Sequence, residues 1–132
     1  MNKNLQNMKN SIIDGQLLNS ILSILPLIIG IVIILDQKEK VHKKDGFLTN
    51  QESQNLALLA KIIFVFVVLY SLELNYESYD LAKKTNQNTS SLKLQIGSSY
   101  LSLIVALIGL YVVLTNYSNS SFQPAEIENS YI

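Results

Sequence analysis

Apolar residues gather into three blocks of nineteen, parted by stretches in which polar residues dominate. The blocks run over residues 17–35 (LLNSILSILPLIIGIVIIL), 56–74 (LALLAKIIFVFVVLYSLEL) and 96–114 (IGSSYLSLIVALIGLYVVL). Wound as a helix, each is about 28 Å long, close to the hydrocarbon thickness of about 30 Å. A soluble domain of this length could bury one such helix in its core. Burying three would need more amphipathic partner helices than the remaining sequence offers. The pattern therefore predicts an all-α integral membrane protein with three transmembrane helices in a small bundle.

The second block contains Lys61 and Glu73 and is the hardest to insert. Its thirteen Leu, Ile, Val and Phe residues contribute roughly −6 kcal/mol on the insertion scale, against about +3 for a central lysine. Lys61 is only the sixth residue of the block, so its ammonium can snorkel to the nearer interface. Glu73 is next to the opposite end. The block inserts. The first block, preceded by Lys3 and Lys9, resembles a secretory signal in charge order. It is too long for one and lacks a small-x-small cleavage site before Asp36, so it is expected to stay as a span.

Turn and cap signals divide the rest. Asp45-Gly46 marks a turn, and Thr49-Asn50-Gln51-Glu52 fits a capping box just ahead of the second block. That helix should overshoot the membrane, because residues 75–84 contain neither Gly nor Pro. Residues 86–91 form a polar break, with Ser90 or Ser91 as the cap of the third helix. The organisation expected is a polar N-terminal segment over residues 1–16, a membrane domain over 17–115, and a flexible polar tail over 116–132. Leu5, Met8 and Ile12 share a helix face, so the N-terminal segment could lie along the interface.

Composition narrows the chemistry. Charged residues are only 15 % of the chain and ten Lys balance ten acids, so nothing in the net charge calls for nucleic acid. With no Cys and one His, thiolate metal sites and Ser-His-Asp catalysis have nothing to draw on. No phosphate-cradling loop is present, no cofactor is implied, and the chain is not expected to be an enzyme. His42, set among four lysines, reads as a solvated loop residue.

The carboxylates Glu73, Glu77 and Asp80 recur at helical spacing with Tyr70 and Lys84 as the second helix leaves the membrane. Acids at such a boundary can bind a cation or pass a proton, and Glu73, the deepest, is the candidate functional side chain. Matching by Lys83 and Lys84 is the simpler reading. Small residues mark a packing face: Ser98, Ser102, Ala106 and Gly109 on the third span, Ser23 and Gly30 on the first, with Pro26 between the latter. This third-span face is expected to meet the first helix around Ser23 and Gly30, or the second, with Leu103 and Leu110 on other faces. Tyr70, Tyr76, Tyr79 and Tyr100 collect near one interface, Tyr111 and Tyr117 near the other.

Orientation follows lysine placement. Five lysines fall on each side once Lys61 is counted with the first loop. Four of them, Lys38, Lys40, Lys43 and Lys44, crowd the end of the first span and favour an outside N-terminus and a cytoplasmic C-terminus. Sequons such as Asn88-Thr89-Ser90 are expected by chance in so Asn- and Ser-rich a chain. The use of Lys, Asn and Ile without Arg points to an A+T-rich, bacterial genome.

The expected partner is the lipid bilayer, with other membrane proteins or a second copy possible. Size and hydropathy resemble the small multi-span proteins of bacteria, and the expected role is that of a non-catalytic accessory or interaction protein of the plasma membrane. Length, span number and orientation also resemble three-span phage holins, which implies pore formation or lysis as the alternative. The tail departs from the basic tail typical of holins, because residues 116–132 contain no Lys or Arg and include Glu126 and Glu128. A small ion- or proton-coupled transporter subunit is a third reading, resting on Glu73.

Overall fold

The computed structural model describes residues 3–42 and 46–118. Lys43, Lys44 and Asp45, the expected tail beyond Ser118 and the side chains of Tyr117 and Ser118 lie outside the described residues. Three helices account for nearly all of the rest: α1 (Lys3–Val41), α2 (Asn50–Lys84) and α3 (Ser90–Ser118). Each is long and apolar enough to cross a membrane. Of their most apolar windows, 0 %, 11 % and 11 % is buried within the molecule. Side chains such as Leu27, Phe66 and Leu101 stand about two-thirds exposed. Surface of that character belongs in lipid, and the protein is a small helical bundle of a membrane.

All three helices are longer than the hydrocarbon core of about 30 Å is thick. At 1.5 Å per residue, α1 is about 58 Å long, α2 about 52 Å and α3 about 43 Å. Residues 3–16 are continuous with the first span, and α2 runs on past the second, as the lack of Gly and Pro there predicts. The two overhangs lie side by side: Ile12 shares a cleft with Glu77 and Asp80, and both Ile12 and Ala82 are buried. Gly15 sits against Leu74 and Tyr70. At the far end α3 continues through Asn116 to Ser118, so these residues extend the helix and do not begin the tail.

The element order is antiparallel throughout, with α2 in the middle. It packs against α1 on one side and α3 on the other, while the two outer helices scarcely meet. Three helices in an arc leave a groove between the outer two, floored by α2.

Side-chain and backbone hydrogen bonds fix the described parts of both connections. Asp36, one residue past the first apolar block and fully buried, accepts from the Phe47 and Leu48 amides through Oδ1, 2.9 Å each. Its Oδ2 lies 2.8 Å from the Lys40 ammonium. Gly46 has φ +72°, and a Cβ there would lie 2.6 Å from Asp36 Oδ1. Only glycine fits both conditions. The predicted capping box follows: Thr49 Oγ1 accepts from the Glu52 amide and Glu52 Oε1 from the Thr49 amide, both 3.0 Å.

The second turn uses backbone instead. Asn86 adopts φ 56°, its amide donates to Lys83 O, and the Gln87 amide donates to Ala82 O at 2.8 Å. This is a Schellman closure with asparagine in the left-handed place. Thr89 O accepts the first amide bond of α3, and Asn88 Oδ1 accepts from the Ser90 amide. Ser90 is thus the first helical residue, and the cap falls one position earlier than the sequence pattern indicated.

Candidate functional site

A groove of about 420 Å³ lies between α1 and α3. Its floor is α2, where Phe64, Val67 and Val68 give way to Ser71 and Asn75. Its α3 wall is polar: Gln95, Ser98, Ser99 and Ser102. From α1 comes Asn19. Helical spacing explains the wall, since residues 95, 98, 99 and 102 stand one turn apart on the side of α3 that flanks α2.

Within the groove Asn75 is committed. Its Nδ2 donates to Ser99 Oγ at 2.7 Å and approaches Gln95 O at 3.4 Å, tying α2 to α3. Next to it the Tyr76 and Tyr100 hydroxyls are 2.6 Å apart, and their rings meet edge to face at 6.4 Å. Hydrogen bonding to Tyr100, with a smaller desolvation effect, pushes the Tyr76 hydroxyl above its usual value. Asn19 differs. Its Oδ1 is buried from solvent and has no hydrogen-bond partner. A buried amide oxygen left in this state costs about 1–3 kcal/mol.

The small-residue faces are divided by this arrangement. Ala106 is buried, and Gly109 faces the Lys61 side chain, whose Nζ would be 3.5 Å from a Cβ added there. The stem of Lys61 therefore lies across α3 at a position with no side chain to block it. Of the two expected partners for the third-span face, α2 is the neighbour. Ser98 and Ser102 stand at its margin, exposed and lining the groove. Ser23 and Gly30 lie on the Asn19 side of α1, four and eleven residues on, and a Cβ at Gly30 would meet nothing within 4 Å. Leu103 and Leu110 are half-buried, so the surface turned to α2 is broader than the small residues alone.

The carboxylates are placed apart from the groove. Glu77 and Asp80 line a cleft of about 210 Å³ with Met8, Ser11, Ile12 and Lys84. Glu73, one turn earlier, is exposed. Among the described residues no group of three His, Asp or Glu side chains is placed to hold a metal ion. Lys83 lies over the Tyr79 ring at 5.4 Å.

Asp36 was not marked by any sequence pattern, since nothing local links an acid at a helix end to a turn ten residues on. Desolvation raises its carboxyl, but the Lys40 ammonium and the Leu48 and Phe47 amides outweigh it and hold the group below its ordinary range. Asn19 and Asn75 did carry a signal: an amide inside an apolar block, and another immediately after one. No family model matches the chain, and no curated protein or solved structure resembles it at a significant level.

Proposed function

We propose that this protein is a non-catalytic accessory or interaction protein of the bacterial plasma membrane, N-terminus outside and C-terminus cytoplasmic, working through helix–helix contact within the bilayer. The observation that carries the reading is the groove: an open arc of three helices whose exposed wall is made of amide and hydroxyl side chains. Lipid tails offer such groups no hydrogen bonds, whereas a neighbouring helix can. Small residues along the same wall allow a helix backbone to come close. Catalysis has no support in the residues available, and the lysines crowded beyond the first span support the orientation.

Native electrophoresis of mildly solubilised membranes tests the reading. A complex larger than the monomer is expected, and Ser98→Leu combined with Ser102→Leu should shrink it. A monomer that ignores both substitutions overturns the proposal. Labelling of Lys43→Cys, Asn88→Cys and Gln123→Cys tests the topology, with position 88 expected to react from outside and the other two from the cytoplasm.

One observation favours the pore-forming alternative: Gln95, Ser98 and Ser102 would make a wettable lining if several copies gathered around them. Controlled expression separates the two. An accessory protein leaves the membrane potential intact, and a pore former collapses it.

A further inference from the structure

The identity of the groove's occupant can be taken one step further, on the reading that the groove is an interaction surface. Its polar groups are the Asn19 amide, which lines it from α1, and the exposed Gln95, Ser98 and Ser102 on α3. Ser102 is the seventh residue of its apolar block, about 9 Å along the helix from the block's start. The stripe thus reaches from the headgroup level into hydrocarbon.

Two properties of the stripe point to one partner. First, Asn and Gln amides and Ser hydroxyls all donate and accept hydrogen bonds, and none is charged. A surface of this kind is complementary to itself, with no like-charge penalty when it meets its own copy. Second, two copies of one chain enter a bilayer in the same orientation. A twofold axis along the membrane normal then holds every residue at the depth of its equivalent. Asn19 and Ser98 line the same cavity and so share a depth. An unrelated helix would need a matching amide or hydroxyl at that depth by separate design.

We propose that the groove is closed by a second copy of this chain. In the resulting parallel twofold dimer, each α3 lies along the other copy's groove. The Asn19 amide, which lines the groove, then hydrogen-bonds the partner subunit's Ser98 or the partner subunit's Ser102.

The absence of cysteine makes the test clean. Ser98→Cys and Ser102→Cys are nearly isosteric and leave the fold undisturbed. Leu101→Cys and Ile104→Cys, at exposed positions on the outer side of α3, are the controls. Two differently tagged copies of each variant are expressed together and oxidised in the native membrane. Disulfide-linked dimer carrying both tags should form several-fold faster at 98 and 102 than at 101 and 104. Equal rates at all four positions overturn the second copy as occupant. If the larger native complex nonetheless persists and still breaks on Ser98→Leu with Ser102→Leu, a different protein fills the groove and the interaction reading stands. If neither dimer nor complex is found, both readings fall.

Discussion

The two seams of the bundle are built on different physics. The α1–α2 seam extends beyond the apolar blocks at both ends. There Ile12 and Ala82 are buried, Gly15 sits against Leu74 at the block's edge, and Asp36 binds the Phe47 and Leu48 amides. The α2–α3 seam lies largely within the span, where lipid is as apolar as leucine and hydrophobic burial offers little drive between helices. It is held by small and polar side chains instead: Ala106, Gly109 under Lys61, Asn75 on Ser99, and Tyr76 on Tyr100. Each seam uses the force that its surroundings leave available.

The largest break is expected at Asp36. Asp36→Ala removes the acceptor of two amides and strands the Lys40 ammonium, which should lower stability by about 3 kcal/mol. Asp36→Asn keeps an acceptor for both amides and should cost about 1 kcal/mol. Thermal unfolding in detergent reads both. Equal losses would shift the anchor from the loop amides to the ion pair. The carboxyl is held below its ordinary 3.8 in the folded chain. Its contribution is therefore complete above that value and is lost as pH falls through the lower folded one. The wild type should lose thermal stability below about pH 4 by more than Asp36→Asn does. Parallel pH profiles would remove the carboxylate from the account.

Crowding the α2–α3 seam comes next. Ala106→Leu drives three more carbons into a buried contact and should destabilise by about 2 kcal/mol. Leu101→Ala and Ile104→Ala, on the lipid side, should stay within about 0.5 kcal/mol. A similar loss at all three positions would mean that this seam is not the close one. The polar tie ranks below. Asn75→Ala should cost about 1 kcal/mol, since interhelical hydrogen bonds in bilayers average about 0.6 and reach about 1.7.

What the sequence made legible follows the same division. Period and length identify spans because bilayer thickness acts on each segment alone. The Thr49–Glu52 capping box and the α2 overshoot are local in the same sense, settled within one helix. Long-range relations were not legible. That α2 is central, that Ser98 and Ser102 flank an open groove, and that Asp36 reaches Phe47 and Leu48 all depend on how helices face one another. Helical spacing fixes which residues share a side and leaves open which neighbour that side meets. Leu103 and Leu110 show the limit: spacing set them apart from the small face, yet the breadth of α2 half-buries both. Residues 3–16 carried too few apolar positions to distinguish a helix along the interface from one continuous with the span. Ile12 and Gly15 become informative only once α2 lies beside them.

The smallest effect, and the sharpest, contrasts two glycines of α1. Replacing a helical glycine by alanine gains about 1 kcal/mol of helix propensity wherever the new methyl has room. At Gly15 the added Cβ would stand 2.7 Å from Leu74 Cδ2 and 2.8 Å from Tyr70 Oη. Leu74 is itself buried and has little freedom to retreat. Gly15→Ala should therefore lose the propensity gain to crowding and end neutral or slightly destabilised. At Gly30 nothing lies within 4 Å, so Gly30→Ala should raise the stability of the isolated monomer by up to about 1 kcal/mol. Thermal shifts on dilute, detergent-dispersed protein would measure both. If Gly30→Ala stabilises the dispersed chain but destabilises it in lipid, where copies can meet, the space beside Gly30 is filled by a neighbour. If it destabilises the dispersed monomer as well, α1 and α3 approach more closely than the open arc allows, and the contrast between the two seams fails at that point.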